Sequence, residues 1–141
     1  MNNDGIDITK ETAGCEVERH KSLSSTVILG GGFGGLAAAN ALRTLLPAEH
    51  HITVVDQSAD FVVGAGKTWL MLGSATYAQV SNDRKRLLEP GINLLSETVH
   101  SIYVANRTVS TDTRKLRWDN LVIALGAAQC LSSLQAGKLP L

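Results

Sequence analysis

The sequence predicts an α/β domain in which a parallel sheet with a crossover helix is joined to a three-stranded antiparallel meander. Three observations support this fold class. A strand–helix–strand pattern runs from Thr26 to Asp56, three short strand-like segments follow between residues 98 and 118, and an apolar segment ends at Gly126. The first and last strands are short, apolar and without alternation, which is typical of parallel strands covered on both faces.

The composition narrows the class of protein. The 141-residue chain suffices for about one domain. Its 13 basic and 13 acidic residues balance, so charge gives no reason to expect a nucleic-acid partner. No apolar run approaches the roughly 18 residues of a transmembrane segment, and the polar first 24 residues lack the core of a secretion signal. Two isolated cysteines, Cys15 and Cys130, favour a reducing, cytoplasmic compartment.

The first half of the domain is predicted to be one strand–helix–strand unit. Thr26–Leu29 is a short apolar strand, and Ile52–Asp56 is a second one. Between them a helix begins at Gly35 and ends at Pro47, which cannot continue it. The crossover should be right-handed. The apolar face of this helix is predicted from residues that follow the spacing of helical turns. They are Ala38, Ala41, Leu42, Leu45 and Leu46.

The second half contains shorter elements. Residues 61–78 are predicted to be a loop with a brief strand or helical turn. Gln79–Glu89 is predicted to be a helix whose solvated side carries the basic run 84–86. The remaining predicted strands, separated by turn residues, are 92–95, 98–104, 107–111, 114–118 and 121–125. Residues 1–24 show no clear periodicity and are predicted to be a flexible polar extension. The domain is predicted to span residues 25–126, and residues 127–141 to form an irregular tail.

A glycine-rich loop between the first strand and the helix is the strongest motif. Gly30 permits a sharp turn, Gly32 leaves room for a pyrophosphate, and Gly35 allows the helix to pack closely. Backbone N–H groups at the start of the helix would then attract an anion. The second strand ends in Asp56, 21 residues after Gly35, where a carboxylate can accept hydrogen bonds from both ribose hydroxyls and repel a 2′-phosphate. The pattern predicts a Rossmann-type dinucleotide site, and a merely structural glycine turn is the alternative.

Two stretches, Val27–Asp56 and Thr108–Gly126 with its end Asp119–Gly126, carry a resemblance to a known family. They are similar to the glycine loop and the second FAD signature of the two-dinucleotide-binding-domain flavoproteins, the pyridine nucleotide–disulfide oxidoreductase superfamily. Leu125 stands where that signature usually has threonine. The Gly-Gly-Gly-Phe-Gly-Gly-Leu loop, Phe61 and the stretch Leu88–Asn93 further resemble the sulfide:quinone oxidoreductase and type II NADH dehydrogenase branch.

The resemblance implies FAD as the cofactor and assigns binding roles by position. The residues implied to line the pyrophosphate are Gly30, Gly32, Phe33, Gly34 and Gly35. Asp56 would hold the ribose, Val99 would meet the adenine through its backbone, and Ala124 and Gly126 would pass close to the cofactor. Lys67 would face the flavin ring, where a cation favours the reduced, anionic flavin; a surface lysine is the equal alternative.

The resemblance also implies an activity. An FAD-dependent oxidoreductase of this kind passes electrons from sulfide or NADH, a small-molecule donor, to a quinone-type acceptor, and the full-length family can lie at the periphery of a membrane. Family members carry a second glycine-rich domain that is missing here, so we expect a truncated chain that is catalytically incomplete.

Two alternatives to that activity stay open, a non-catalytic remnant with weak or no FAD binding and an NAD-binding module. An incomplete domain is also expected to self-associate through exposed apolar surface. Neither cysteine and none of the four histidines has the spacing of a redox pair or a metal site.

Overall fold

The computed structural model describes residues 24–127, which form a helix layer, a parallel sheet and an antiparallel meander. In chain order the elements are β1 (Ser25–Leu29), α1 (Phe33–Leu45), β2 (His51–Asp56), β3 (Asp60–Val62), α2 (Gly64–Met71), α3 (Tyr77–Val80), β4 (Ser81–Asp83), a 3-10 helix (Arg84–Leu87), β5 (Ile92–Ser96), β6 (Val99–Tyr103), β7 (Thr108–Thr111), β8 (Lys115–Arg117) and β9 (Asn120–Ile123). The predicted extension and tail, with Cys15 and Cys130, lie outside the described residues except at positions 24 and 127.

The parallel sheet has the strand order β5-β2-β1-β9. Strand β1 pairs with β2 on one side and with β9 on the other, so the glycine loop leaves a strand in the interior of the sheet. Strand β2 also pairs with β5, which aligns Asp56 with Ser96 at the carboxyl edge. The edge from which parallel strands leave the sheet is where ligands bind in open α/β folds.

Both faces of this sheet are covered, which explains why its strands are mostly apolar. Ile28, Ile52 and Val54 point to the face on which α1 packs. Val27, Leu29 and Val55 point to the opposite face and pack against the meander. Alternate residues of one strand therefore pack into two different cores, so the side chains on both faces are mostly apolar.

Helix α1 turns a different face to the sheet from the one that its spacing predicts. Its buried residues are Gly35, Leu36 and Ala39, with Ala38 and Leu42 at the edge of the contact. Ala41 and Leu45 are exposed, so their placement on the apolar face was wrong. The reason is steric, because the glycine at position 35 brings the first turn of the helix so close to β1 that this turn sets its rotation.

The region between β2 and β5 differs most from the prediction. Residues 61–78 contain the eight-residue helix α2, which is more than a helical turn. The predicted helix Gln79–Glu89 was wrong, because α3 ends at Val80 and β4 pairs antiparallel with β3. The backbone N–H of Lys85 donates to the Asp83 side chain, which starts a separate 3-10 turn instead of continuing α3.

The meander has the order β6-β7-β8 with antiparallel pairing, as the turn residues predict. Side-chain carboxylates fasten it to the sheet. Glu97 accepts hydrogen bonds from Thr111 and Thr113 and pairs with Arg114. Asp119 accepts from the backbone N–H and the hydroxyl of Ser25, which joins the end of the meander to the start of β1. The predicted fold class, a parallel sheet with a crossover helix and a three-stranded meander, is confirmed.

Candidate dinucleotide-binding site

The glycine loop turns sharply at the carboxyl end of β1. Gly30 has φ +99°, and a Cβ there would lie 2.3 Å from the carbonyl oxygen of Ala124. A Cβ on Gly35 would lie 1.8 Å from the carbonyl oxygen of Gly30. Both positions therefore require glycine for the packing of the chain itself.

Gly32 is glycine for a different reason. A Cβ at this position would have no neighbour within 4 Å, so the fold leaves the space beside its backbone open. Gly32 is also the N-cap of the 13-residue helix α1, which has no side-chain cap and no acidic residue in its first turn. The N–H groups at the start of this helix, and the positive end of its dipole, are thus available to an anion.

Asp56 lies at the end of β2, next to the loop. Its Oδ2 accepts the backbone N–H of Gly31 at 2.7 Å, and its Oδ1 accepts the backbone N–H of Ser58 at 3.0 Å. Oδ1 also pairs with the guanidinium Nη1 of Arg84 at 2.9 Å, and the carboxylate side chain is 18% exposed. Three of roughly four acceptor positions of the carboxylate are therefore used within the protein.

Arg84 is the site residue that the sequence reasoning missed. The prediction that the basic run 84–86 is solvated was wrong at this position, because Arg84 is 6% exposed while Lys85 and Arg86 are exposed. Its Nε donates to the carbonyl oxygen of Gly31 at 2.8 Å, and its Nη1 donates to Asp56 and to the carbonyl oxygen of Ser58. The pair of Asp56 and Arg84 is separated by 28 positions, so it leaves no local signal in the sequence. The second glycine of the loop, Gly31, is the one sign of crowding at this point.

A cavity of about 430 Å³ opens in front of the glycine loop and Asp56. The structure brings most of the predicted site residues to its wall: Gly30, Gly32, Phe33, Gly34, Asp56, Lys67, Ala124 and Gly126. Gly35 lies behind the wall, where it packs on Gly30. The further lining residues, which were not predicted, are Ser58, Asp60, Phe61, Val62, Tyr77, Arg84 and Leu125.

A second cavity, of about 210 Å³, adjoins the first. Gly30, Asp56 and Leu125 line both cavities, and Val99 lines only the second one. Val99, the residue predicted to meet the adenine, therefore lies outside the larger cavity and in the one that adjoins it at Asp56. Thr98, which precedes it, donates its backbone N–H to Asp112 at 2.6 Å, so this wall is fixed by the meander.

The opposite end of the larger cavity combines aromatic and charged side chains. The rings of Phe33 and Phe61 meet edge to face with their centroids 5.1 Å apart. The Tyr77 hydroxyl donates to Asp60 at 3.3 Å, and burial together with this carboxylate raises the pKa of Tyr77. Lys67 lies on the same wall, on exposed helix α2.

Residues 24–127 can also be checked for a metal centre and for a membrane-spanning helix. No group of three or more potential metal ligands occurs there, and His50 instead contacts the hydroxyls of Ser24 and Thr26 through its two ring nitrogens. No helix in this part of the chain is both long enough and apolar enough to cross a bilayer.

The fold and the site define a class of protein, a dinucleotide-binding domain of the Rossmann type. The chain matches the family described as pyridine nucleotide-disulphide oxidoreductase over residues 24–138. It therefore belongs to this family, and the predicted recognition is confirmed. Members of the family are FAD-binding flavoproteins, which confirms the predicted type of cofactor.

Among known proteins, the chain is similar to a sulfide-quinone reductase of Aquifex aeolicus, with 33% identity over 102 residues that make up 71% of this chain and 24% of the relative. The crystal structure of the sulfide:quinone oxidoreductase from that organism superimposes with a TM-score of 0.65 at 30% identity, covering 73% of this chain and 24% of the other. NDH2 of Plasmodium falciparum in complex with NADH has the same TM-score, 0.65, at 19% identity, covering 79% and 24%, and it supports the fold alone. The chain thus spans about a quarter of the length of these relatives.

Proposed function

We propose that this chain binds FAD through the ADP moiety of the cofactor. The observation that carries the proposal is the open space beside Gly32, where the uncapped start of α1 and the Asp56 carboxylate border one cavity. ADP matches this pair of groups, because its pyrophosphate is an anion and its ribose carries hydroxyl donors. The residues of the cavity therefore fit the group that the family binds.

Each predicted residue has a distinct part in the proposed binding mode. The backbone from Gly30 to Gly34 approaches the pyrophosphate, with Phe33 beside it, and Gly35 keeps α1 against β1. Asp56 accepts from the ribose, and with one acceptor position left on Oδ2 it accepts one hydroxyl rather than two. Val99 meets the adenine in the second cavity. Ala124 and Gly126 border the cofactor from β9, and Lys67 lies toward the flavin.

We further propose that the protein acts in an FAD-dependent oxidoreductase reaction that passes electrons from sulfide or NADH to a quinone. Bound flavin would supply the redox chemistry, while the chain binds and orients it. The family supports an FAD-dependent oxidoreductase, and the similarity to a sulfide-quinone reductase favours sulfide and quinone as partners. A cytoplasmic location, and contact with the surface of a membrane, stay predictions.

The test is a calorimetric titration of the chain with ADP and with FAD. For FAD, the flavin absorbance that the chain retains after removal of free cofactor is also measured. Gly32→Val should reduce the affinity for both by about 100-fold or more, because a side chain would occupy the place of the pyrophosphate. Gly64→Val is the matched control, since Gly64 also has no neighbour within 4 Å of a built Cβ but does not line the cavity.

Equal affinity in the Gly32→Val variant and its control would refute the assignment of this loop. A parent chain that binds NADH but neither FAD nor ADP would favour the NAD-binding alternative. A folded chain that binds no dinucleotide would instead support the remnant.

A further inference from the structure

We propose that Arg84 is a positioning residue of the adenosine site, which orients Asp56 toward the ribose and which accounts for the glycine at position 31. The inference rests on the proposed binding of the ADP moiety. It assigns a role in ligand recognition to a residue of the basic run, while its neighbours Lys85 and Arg86 remain exposed.

Arg84 is the donor of a set of hydrogen bonds at the edge of the site. It links three separate segments, the glycine loop through Gly31, the end of β2 through Asp56, and the following turn through Ser58. The arginine side chain is 7% exposed, so these bonds lie in a largely water-free setting where charge-assisted hydrogen bonds are strong. Because guanidinium is planar and its donors are fixed in a fork, it holds the three acceptors in one arrangement.

The Asp56 carboxylate keeps one open acceptor position. Arg84 and Ser58 occupy Oδ1, and Gly31 occupies one position on Oδ2, so the remaining acceptor position lies on Oδ2. Arg84 therefore decides which oxygen of Asp56 is open to a ligand. The positive charge of Arg84 also offsets the negative charge of Asp56, so the site repels the 2′-phosphate of a ligand less strongly than an unpaired carboxylate would.

Gly31 occupies a variable position of the Gly-X-Gly-X-X-Gly pattern. A Cβ built on Gly31 would lie 2.5 Å from Cδ and 2.7 Å from Nε of Arg84. Those atoms belong to the middle of a buried side chain. To avoid the clash, Arg84 would have to move, and its guanidinium would then lose its hydrogen bonds. The glycine at position 31 is thus explained by Arg84, not by the ligand or by the backbone.

The experiment measures the affinity of the full chain for ADP, 2′-deoxy-ADP and 3′-deoxy-ADP. The parent should prefer ADP to at least one of the deoxy analogues by about 10-fold. Arg84→Met should weaken ADP binding by about 10-fold to 100-fold and should remove that preference, since Asp56 loses its fixed orientation. Arg86→Met, the same change on an exposed neighbour, should leave both quantities unchanged.

Loss of hydroxyl discrimination separates positioning from a general loss of fold, which would weaken all three ligands equally. If Arg84→Met does not fold, Arg84→Lys keeps the charge without the fork and should still lose the preference for the hydroxyl.

The explanation of Gly31 can be tested without any ligand, through the stability of the fold. Gly31→Ala should lower the melting temperature in the parent background but have little effect in Arg84→Ala, where the clashing atoms are absent.

The possible failures can be told apart. A parent chain that binds no ADP overturns the proposed function and with it the role of Arg84 in recognition. A parent that binds ADP while Arg84→Met binds equally well, with the same hydroxyl preference, overturns only the role of Arg84. Additive effects of Gly31→Ala and Arg84→Ala on stability would refute the explanation of Gly31.

Discussion

Replacement of Gly35 by alanine should destabilise the fold strongly, although the change adds a single methyl group. A Cβ at this position would lie 1.8 Å from the carbonyl oxygen of Gly30. Ordinary contact needs about 3.4 Å, so α1 must move by roughly 1.5 Å away from the loop. Leu36 and Ala39 would then lose contact with the core around Ile28 and Ile52. Overpacking costs about 1–3 kcal/mol, and we expect the upper end because backbone lies on both sides of the clash.

The assay is thermal unfolding followed by far-UV circular dichroism. For a domain of this size, about 3 kcal/mol corresponds to a fall in Tm of about 12–24 °C. Gly34→Ala is the matched control, because a Cβ on the adjacent residue would lie 4.0 Å from its nearest neighbour, the Cβ of Ala124. That variant should be neutral, or more stable by up to about 1 kcal/mol, since alanine favours helix. Equal melting temperatures for the two variants would refute the reasoning.

Two predictions concern pH and association. Hydrogen bonds from Ser25, from Thr111 and Thr113, and from Thr98 lower the pKa of Asp119, Glu97 and Asp112 respectively. An acidic group with a lowered pKa stabilises the folded state above the pKa that it has in the unfolded chain. The free energy of unfolding measured in urea should therefore be constant near neutral pH and decline below about pH 4. Asp119→Asn should reduce this decline, and a pH profile identical to that of the parent would contradict the role of Asp119. Sedimentation velocity should show concentration-dependent association, because Trp69, Met71 and Leu72 are 55%, 88% and 72% exposed. Met71→Lys with Leu72→Lys should suppress this association, and unchanged association would exclude α2 as its surface.

The strands of the parallel sheet could be predicted from sequence because their signal is local. Ile52–Asp56 is almost wholly apolar, and the structure gives it two covered faces and the strand His51–Asp56. The meander was predictable for the same reason, since turn residues separate its strands. The glycine loop and Asp56 were identified because the spacing of Gly30, Gly32 and Gly35, and of the acid at the end of the next strand, lies within one continuous stretch of the sequence.

The stretch between β2 and β5 could not be predicted, because its structure depends on distant partners. The apparent helix Gln79–Glu89 is interrupted where β4 pairs with β3, a contact that spans the sequence from Asp60 to Asp83. Arg84 is buried because Asp56 and Gly31 accept its hydrogen bonds. Nothing in the sequence of three adjacent basic residues distinguishes the one that turns inward.

The pairing of β1 with β9 has a consequence for the order in which the domain assembles. Ser25 and Asp119, which meet at the start of this pair, are 94 positions apart, and the contact closes a very long loop. Such non-local contacts form late, because the entropy of closing the loop opposes them. Ala124, directly after β9, forms one wall beside Gly30. The wall that Ala124 forms is therefore in place only once β9 has docked beside β1, so the shape of the binding cavity depends on the most non-local strand pairing of the parallel sheet.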